Sequence, residues 1–140
     1  MKLGITFLLC VTVLCAAADT KTLKNRTGKR AVSVPSNWTL SPLGLGNSPD
    51  KKVSVVVSSP AHGLTSLAQV KQLAPGIYKN DKVVKQSGSE FEMQGSNQAG
   101  KPNVYRAIPA GDKLCIAEVV YESGSLADAR QIIETLKAEK

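Results

Sequence analysis

The sequence predicts a single α+β domain in which a mainly antiparallel sheet of about five or six strands packs with two helices. Short apolar or alternating runs between residues 31 and 121 are separated by turn signals, a pattern typical of strands joined as hairpins. The chain then closes with one amphipathic segment. Strands and helices do not alternate regularly, as they would in a parallel α/β sheet, so an antiparallel arrangement is expected.

We expect the α+β domain to span residues 31–140. Its first two strands flank a long turn-rich stretch. Residues 31–35 alternate between apolar and polar side chains, and Pro35 ends this strand or places it at a sheet edge. Residues 41–52 are rich in Pro, Gly, Asn and Asp and predict a loop. The apolar run 53–57 then predicts a second strand.

A short helix and a set of hairpin strands are expected in the middle of the chain. Thr65 is the predicted N-cap of the helix, and Pro75-Gly76 stops it. Tight turns then separate three strand-like runs, at residues 82–86, 89–94 and 104–108. The turn residues predict hairpin connections at 97–100 and 110–112.

The last strand and the last helix are the most clearly marked elements. Residues 114–121 are apolar on both faces, which predicts a central strand that is covered on each side. Ser125 is the expected cap of the closing helix, with Asp128 three positions beyond. The apolar stripe of this helix comprises Leu126, Ala129, Ile132, Ile133 and Leu136.

Four features of the sequence stand in a characteristic order: the start Val32-x-Val34-Pro35-x-x-Trp38, the strand 53–59 that leads to a helix, Tyr105 before Leu114-Cys115-Ile116, and the closing Glu134-Thr135-Leu136-Lys137. With these residues, the order of elements resembles the fold shared by the photosystem II extrinsic PsbP proteins and the bacterial DcrB-type envelope lipoproteins. The resemblance implies an α/β/α sandwich and a non-enzymatic accessory role in an envelope or lumenal compartment. The lipid-attachment cysteine of the bacterial lipoproteins has no counterpart here.

Residues 1–18 predict a secretory signal peptide. Lys2 precedes an apolar stretch and the small residues Ala16-Ala17-Ala18, so cleavage is expected between Ala18 and Asp19. The apolar stretch is shorter than the roughly 20 residues that a membrane span needs, and no second span follows. We therefore expect a secreted or periplasmic protein with no transmembrane span in its mature chain.

Residues 19–30 are expected to form a basic, flexible arm. Against the single acid Asp19, this segment carries Lys21, Lys24, Arg26, Lys29 and Arg30. A solvated tail is one interpretation, and the alternative is contact with an acidic partner, either an envelope protein or an anionic surface. Nucleic acid is not an expected partner, because no aromatic stacking platform accompanies the charge.

Trp38 is the remaining candidate for a surface contact. A tryptophan close to a turn could stack on a ligand or a partner, while packing over the end of the sheet is the alternative.

Two Asn-x-Ser/Thr triplets, at Asn25 and Asn37, would accept glycans in a host with that pathway, and Lys29-Arg30 could be a processing site.

The sequence predicts no catalytic, cofactor-binding or metal site. The segment 95–102 has the glycines and the lysine of a phosphate-binding loop, but Pro102 stands where the magnesium-binding hydroxyl belongs, so a hairpin turn is expected. His62 is the only histidine and is expected in a solvated loop. Cys115 is expected to be a buried thiol, and Glu90 and Glu92 are expected to point together into solvent.

Three functions remain open. The first is an exported, monomeric accessory protein that binds an envelope component through a sheet edge or the basic segment. The second is a carrier that holds a small apolar ligand between sheet and helices. The third is a hydrolase, which one histidine, one mature-chain cysteine and no metal-ligand spacing disfavour.

Overall fold

The computed structural model describes residues 19–58, 64–73, 78–122 and 125–138. The ten strands and two helices of these residues are β1 (Thr20–Lys24), β2 (Arg30–Pro35), β3 (Thr39–Ser41), β4 (Leu45–Asn47), β5 (Val53–Val57), α1 (Leu67–Leu73), β6 (Tyr78–Ser87), β7 (Glu90–Asn97), β8 (Pro102–Ala110), β9 (Lys113–Tyr121), α2 (Leu126–Glu134) and β10 (Lys137–Ala138).

A seven-stranded antiparallel sheet forms the centre of the molecule, in the order β3-β4-β5-β9-β8-β7-β6. The predicted hairpins at 97–100 and 110–112 join β7 to β8 and β8 to β9. The apolar strand β9 is central, as its sequence predicts. The expected strand number of five or six was too low, because the turn-rich stretch 41–52 contains the short strand β4 and borders β3.

A second, three-stranded antiparallel sheet has the order β1-β2-β10. Its strand β1 corrects the prediction that residues 19–30 form a flexible arm. Thr20–Lys24 pair with Ala31–Pro35 of β2 along their whole length, and Leu23 is only 1% exposed. The physical reason is that this one apolar side chain, placed among basic neighbours, fills a position in the core and gives β2 its hydrogen-bonding partner.

The main core lies on the face of the large sheet that we call the front. The small sheet and α2 both cover this face, so that Leu23 and Val32 pack in one cluster with Val55, Val119 and Ile133. This packing follows from the alternation along the strands, since every second residue of β5 and β9 points to the front. The front of the sheet is therefore covered by two different elements.

The opposite face, the back, carries a smaller core around Phe91, Met93 and Tyr105. Helix α1 covers it with Val70, and the expected helix is confirmed. Its N-terminal cap is Ser66 rather than Thr65, because the Ser66 hydroxyl accepts a hydrogen bond from the Gln69 backbone N–H at 3.3 Å. The residues around Pro75-Gly76 lie outside the described part of the chain.

Helix α2 is confirmed, with two corrections at its ends. Ser125 precedes it but makes no side-chain capping bond. The helix ends at Glu134, whereas its apolar stripe was expected to continue to the C-terminus. Leu136 is still buried, but the backbone turns at Thr135 and pairs with β2 as β10, because the Thr135 hydroxyl bonds to the Ser33 N–H at 2.7 Å and to the Ile132 carbonyl at 2.6 Å.

Candidate functional site

The turn between β1 and β2 carries a group of basic side chains on a hydrogen-bonded frame. Asn25 is buried and its side-chain oxygen accepts hydrogen bonds from the Thr27 hydroxyl and the Arg30 N–H, each at 3.1 Å. Gly28, at a φ of 73°, closes the turn with a 2.9 Å bond from its N–H to the Asn25 carbonyl. Lys24, Arg26 and Lys29 are exposed on this frame, and we call these three residues the basic tip.

The five basic residues predicted to form a contact surface lie in different environments in the structure. Lys24, Arg26 and Lys29 lie together on the basic tip, whereas Lys21 is half-buried along β1. Arg30 is 9% exposed, and one of its guanidinium nitrogens donates to the Lys29 carbonyl at 2.9 Å. Arg30 is thus corrected from a surface contact to a buried residue. Asp19 is exposed, and Ala18 lies outside the described residues.

An exposed apolar strip lies beside the basic tip. It consists of Leu43 in the β3–β4 turn, which is 67% exposed, and the cross-strand pair Leu45 and Val56, which are 39% and 42% exposed. Gly44 brings the turn that carries Leu43 against the tip, since a Cβ atom at Gly44 would lie 3.1 Å from the Asn25 Cα. Leu45 and Val56 point to the back of the large sheet, because the neighbouring Val55 points to the front core. No sequence signal marked this strip, because Leu43 and Leu45 fall in the turn-rich stretch 41–52 and Val56 falls in the uniformly apolar run 53–57.

Trp38 is not the surface residue that the sequence allowed. It packs in the front core and is only 7% exposed. Its remaining surface lines a groove of about 890 Å³ between the end of β2, the 48–52 turn and α2, together with Pro35, Pro49 and Ile132. The alternative interpretation, packing over the end of the sheet, is the one the structure supports.

Acidic side chains from two elements stand at the rim of this groove. Asp128 comes from the first turn of α2, and Asp50 comes from the 48–52 turn. Hydrogen bonds from the Ser48 hydroxyl at 2.6 Å and the Lys52 N–H at 3.1 Å hold Asp50 and lower its pKa below the usual range. Lys52 also lines the groove, so its polar lining carries charges of both signs.

Glu90 and Glu92 do not point together into solvent, which corrects the prediction for β7. Glu92 is 1% exposed on the front face and accepts a 2.8 Å hydrogen bond from Arg130 of α2. Glu90 is half-buried and pairs with Arg106 of β8. The reason is that Arg130 of α2 and Arg106 of the neighbouring strand β8 reach the front of β7, so both acids take part in ion pairs that hold neighbouring elements together.

A buried polar cluster on the back face is structural in character. The Tyr105 hydroxyl donates to a carboxylate oxygen of Asp81 at 3.3 Å. Burial raises the pKa of Asp81, and burial together with the nearby Asp81 charge raises the pKa of Tyr105 above its usual value. Among the residues that the structure describes, no group of three His, Cys, Asp or Glu side chains could hold a metal ion.

Three other features of the sequence were considered for catalysis or phosphate binding: Cys115, the segment 95–102 and His62. Cys115 is fully buried, and desolvation raises the pKa of its thiol to about 11, so the reactive thiolate is absent near neutral pH. The segment 97–100 is a hairpin turn in which the Asn97 side chain accepts a bond from the Lys101 N–H at 2.9 Å. His62 falls outside the described residues.

The two glycosylation triplets occupy different environments. The side chain of Asn25 is 3% exposed and is engaged within the β1–β2 turn, so it is closed to a transferase in the folded protein. Asn37, in the turn that leads to Trp38, is exposed.

Comparison with known proteins identifies the architecture of the chain. No protein-family model matches the chain, and no curated protein matches it. The solution structure of cyanobacterial PsbP (CyanoP) from Synechocystis sp. PCC 6803 superposes with a TM-score of 0.54 at 10% sequence identity. The alignment covers 93% of this chain and 98% of that chain. The protein therefore has a PsbP-like fold, as the resemblance in its sequence implied.

Within the described ranges, every helix is too short or too polar to cross a bilayer.

Proposed function

We propose that this protein is an exported, non-enzymatic accessory protein that binds an acidic surface in the cell envelope through its basic tip. The observation that carries the proposal is the ordered β1–β2 turn, which holds Lys24, Arg26 and Lys29 exposed on one frame. The PsbP-like fold supports an accessory role, since that family acts by binding. The predicted signal peptide supports export.

The order of the turn favours binding over simple solubility. A flexible basic tail loses conformational freedom when it binds, at about 1–2 kcal/mol for each backbone residue fixed. The hydrogen bonds around Asn25 fix this turn before any partner arrives. Clustered cations also accelerate encounter with an acidic partner, so binding should weaken as ionic strength rises.

The test is a charge-reversal pair with a matched control. The variant Arg26→Glu/Lys29→Glu changes the basic tip, and Lys82→Glu/Lys85→Glu makes the same change in net charge on the exposed edge strand β6. The native protein and both variants are cross-linked to isolated envelope fractions. We expect the tip variant to lose its cross-links and the β6 variant to retain them. Equal loss in both variants, or retention in both, would count against the proposal.

Export is tested on the protein itself. Sequencing the N-terminus of the product recovered outside the cytoplasm should give Asp19 as the first residue, because the small residues before it form the expected cleavage site. Recovery of the protein in the cytoplasm with Met1 intact would refute the proposed location.

A second candidate function is that of a small-ligand carrier, and the groove beside Trp38 favours it. A volume of about 890 Å³ lies within the range of small-molecule sites, and its lining combines Trp38, Pro49 and Ile132 with acidic groups at the rim. Trp38 is the only tryptophan of the chain, so its fluorescence reports on this groove. A carrier would release an extractable molecule, and Trp38 emission would shift on its removal. An empty extract with unchanged emission would exclude this function.

A further inference from the structure

We propose that Leu43 and the basic tip form one surface that docks on an anionic lipid bilayer, with Leu43 inserted among the lipid headgroups. This inference rests on the proposed function, because it names the class of acidic surface that the basic tip recognises. It assigns a role to side chains that neither the fold nor the comparison explains.

The first argument is the placement of exposed apolar side chains. Among the described residues, four large apolar side chains are exposed, and three of them, Leu43, Leu45 and Val56, form the strip. The fourth, Val84, lies on β6 at the opposite edge of the sheet. Leu45 and Val56 point to the back of the sheet, so Leu43, the most exposed of the three, is the one that adjoins the basic tip.

The second argument is that the turn carrying Leu43 and the basic tip are held together. The ideal Cβ position of Gly44 lies 2.7 Å from the Val57 carbonyl oxygen and 3.1 Å from the Asn25 Cα, so the β3–β4 turn packs against the β1–β2 turn. The Asn25 side-chain amide also donates to the Ser58 carbonyl at 3.5 Å. Apolar and cationic side chains are therefore presented by adjoining turns at one end of the molecule.

The third argument distinguishes a bilayer from an acidic protein. Leu43, the most exposed of these side chains, lies in the turn closed by the Gly44 N–H to Ser41 carbonyl bond and projects from a hairpin end. A protein interface needs a fitted pocket for such an anchor and roughly 800 Å² on each partner. A lipid headgroup layer accepts a projecting leucine without a preformed pocket, while its phosphates attract the neighbouring Arg26 and Lys29.

The experiment measures co-sedimentation of residues 19–140 with vesicles of phosphatidylglycerol and phosphatidylcholine in equal parts, and with vesicles of phosphatidylcholine alone. We expect binding to the anionic vesicles only. Leu43→Ser should weaken this binding about tenfold, because it removes most of one inserted leucine side chain. Arg26→Glu/Lys29→Glu should weaken it about 25-fold or more, since each cation near the surface contributes about fivefold.

Matched variants separate docking from misfolding and from net charge. Val84→Ser removes an exposed apolar side chain at the far edge and should leave vesicle binding within twofold of the native value. The unfolding midpoint in urea is measured for each variant to exclude misfolding. Insertion is followed directly with Leu43→Trp, whose added emission should shift to the blue with anionic vesicles, whereas the emission added in Val84→Trp should not shift.

The outcomes distinguish this inference from the proposed function. If the charge reversal abolishes vesicle binding while Leu43→Ser and Leu43→Trp show no effect, the protein only adsorbs electrostatically and the docking surface is refuted. If no vesicle binds but envelope proteins are cross-linked in a tip-dependent manner, the lipid inference falls and the proposed function stands. If the tip variant changes neither measurement, the proposed function falls with it.

Discussion

Gly44 is the residue on which the junction between the two turns depends. Its φ is 84°, and an added Cβ would lie 2.7 Å from the Val57 carbonyl oxygen, closer than the backbone tolerates. We expect Gly44→Ala to lower the free energy of unfolding by about 2–4 kcal/mol through strain and displacement of the turn. Unfolding in urea measures this change in the free energy of unfolding.

Gly28 provides the control for this substitution. It has a similar φ of 73° but no heavy atom within 4 Å of the Cβ position, so Gly28→Ala should cost only the conformational term, about 1 kcal/mol. Equal effects at the two positions would show that close packing at Gly44 is unimportant.

Cys115 predicts the behaviour of the protein at alkaline pH. Burial raises the pKa of its thiol to about 11, so the folded state keeps the proton that the unfolded chain loses near its ordinary value of 9.0. The free energy of unfolding should therefore fall as the pH rises from about 9 to about 11. Urea midpoints across this range should decline less steeply for Cys115→Ala, and a thiol reagent at pH 8 should react only after unfolding. Rapid reaction of the native protein would contradict the burial of Cys115.

Single residues also show where the sequence was informative and where it was not. The apolar neighbours of Cys115 correctly predicted a buried thiol. Glu92 alternates with Phe91 and Met93 on β7, which predicts a solvent-facing acid, but Arg130 arrives from α2, 38 positions away. A local pattern cannot report a partner that only tertiary packing supplies.

Among the elements, β1 differs most from its prediction, because it is a packed strand where a flexible arm was expected. Leu23 packs in the front core at 1% exposure, so Leu23→Ala should lower the free energy of unfolding by about 2–5 kcal/mol. Thr22→Ala, at the neighbouring exposed position, should change it by no more than about 0.5 kcal/mol. Chemical denaturation of both variants checks this. A negligible effect of Leu23→Ala on the free energy of unfolding would instead support a flexible arm at residues 19–30.

The contact between α2 and β7 depends on one ion pair. Arg130→Met would leave the buried Glu92 carboxylate without its cation, and we expect a loss of about 2–4 kcal/mol in the free energy of unfolding. The double variant Arg130→Met/Glu92→Gln should recover more than half of that loss, because the uncompensated charge is gone. Arg26→Met, at an exposed arginine, serves as the control. Additive effects of the two substitutions would contradict the pairing.

The elements that the sequence predicted most clearly are those that carry an uninterrupted apolar pattern of their own. The apolar run of β5, the two-sided apolar run of β9 and the stripe of α2 each carry their own signal over five or more residues. Strands β3, β4 and β10 have two or three residues each, too few for a period to appear. They form because neighbouring strands supply hydrogen-bonding partners, which is a tertiary cause.

For the molecule as a whole, fold and function rest on different residues. A PsbP-like fold persists at 10% sequence identity, because apolar alternation and hairpin turns suffice to specify it. The basic tip and Leu43 lie at the β1–β2 and β3–β4 turns, outside the core pattern, whereas Leu45 and Val56 lie on strands β4 and β5. The sequence identified the cations of the tip but not their shared hydrogen-bonded frame, since Asn25 acquires its buried position only when β1 pairs with β2.

The most direct measurement is amide hydrogen exchange on residues 19–140, alone and bound to isolated envelope membranes. The surface proposed here predicts added protection at residues 24–30 and 42–45, with exchange in α2 and the 48–52 turn unchanged. Protection confined to the groove around Trp38, or no change anywhere in the β1–β2 and β3–β4 turns, would contradict it.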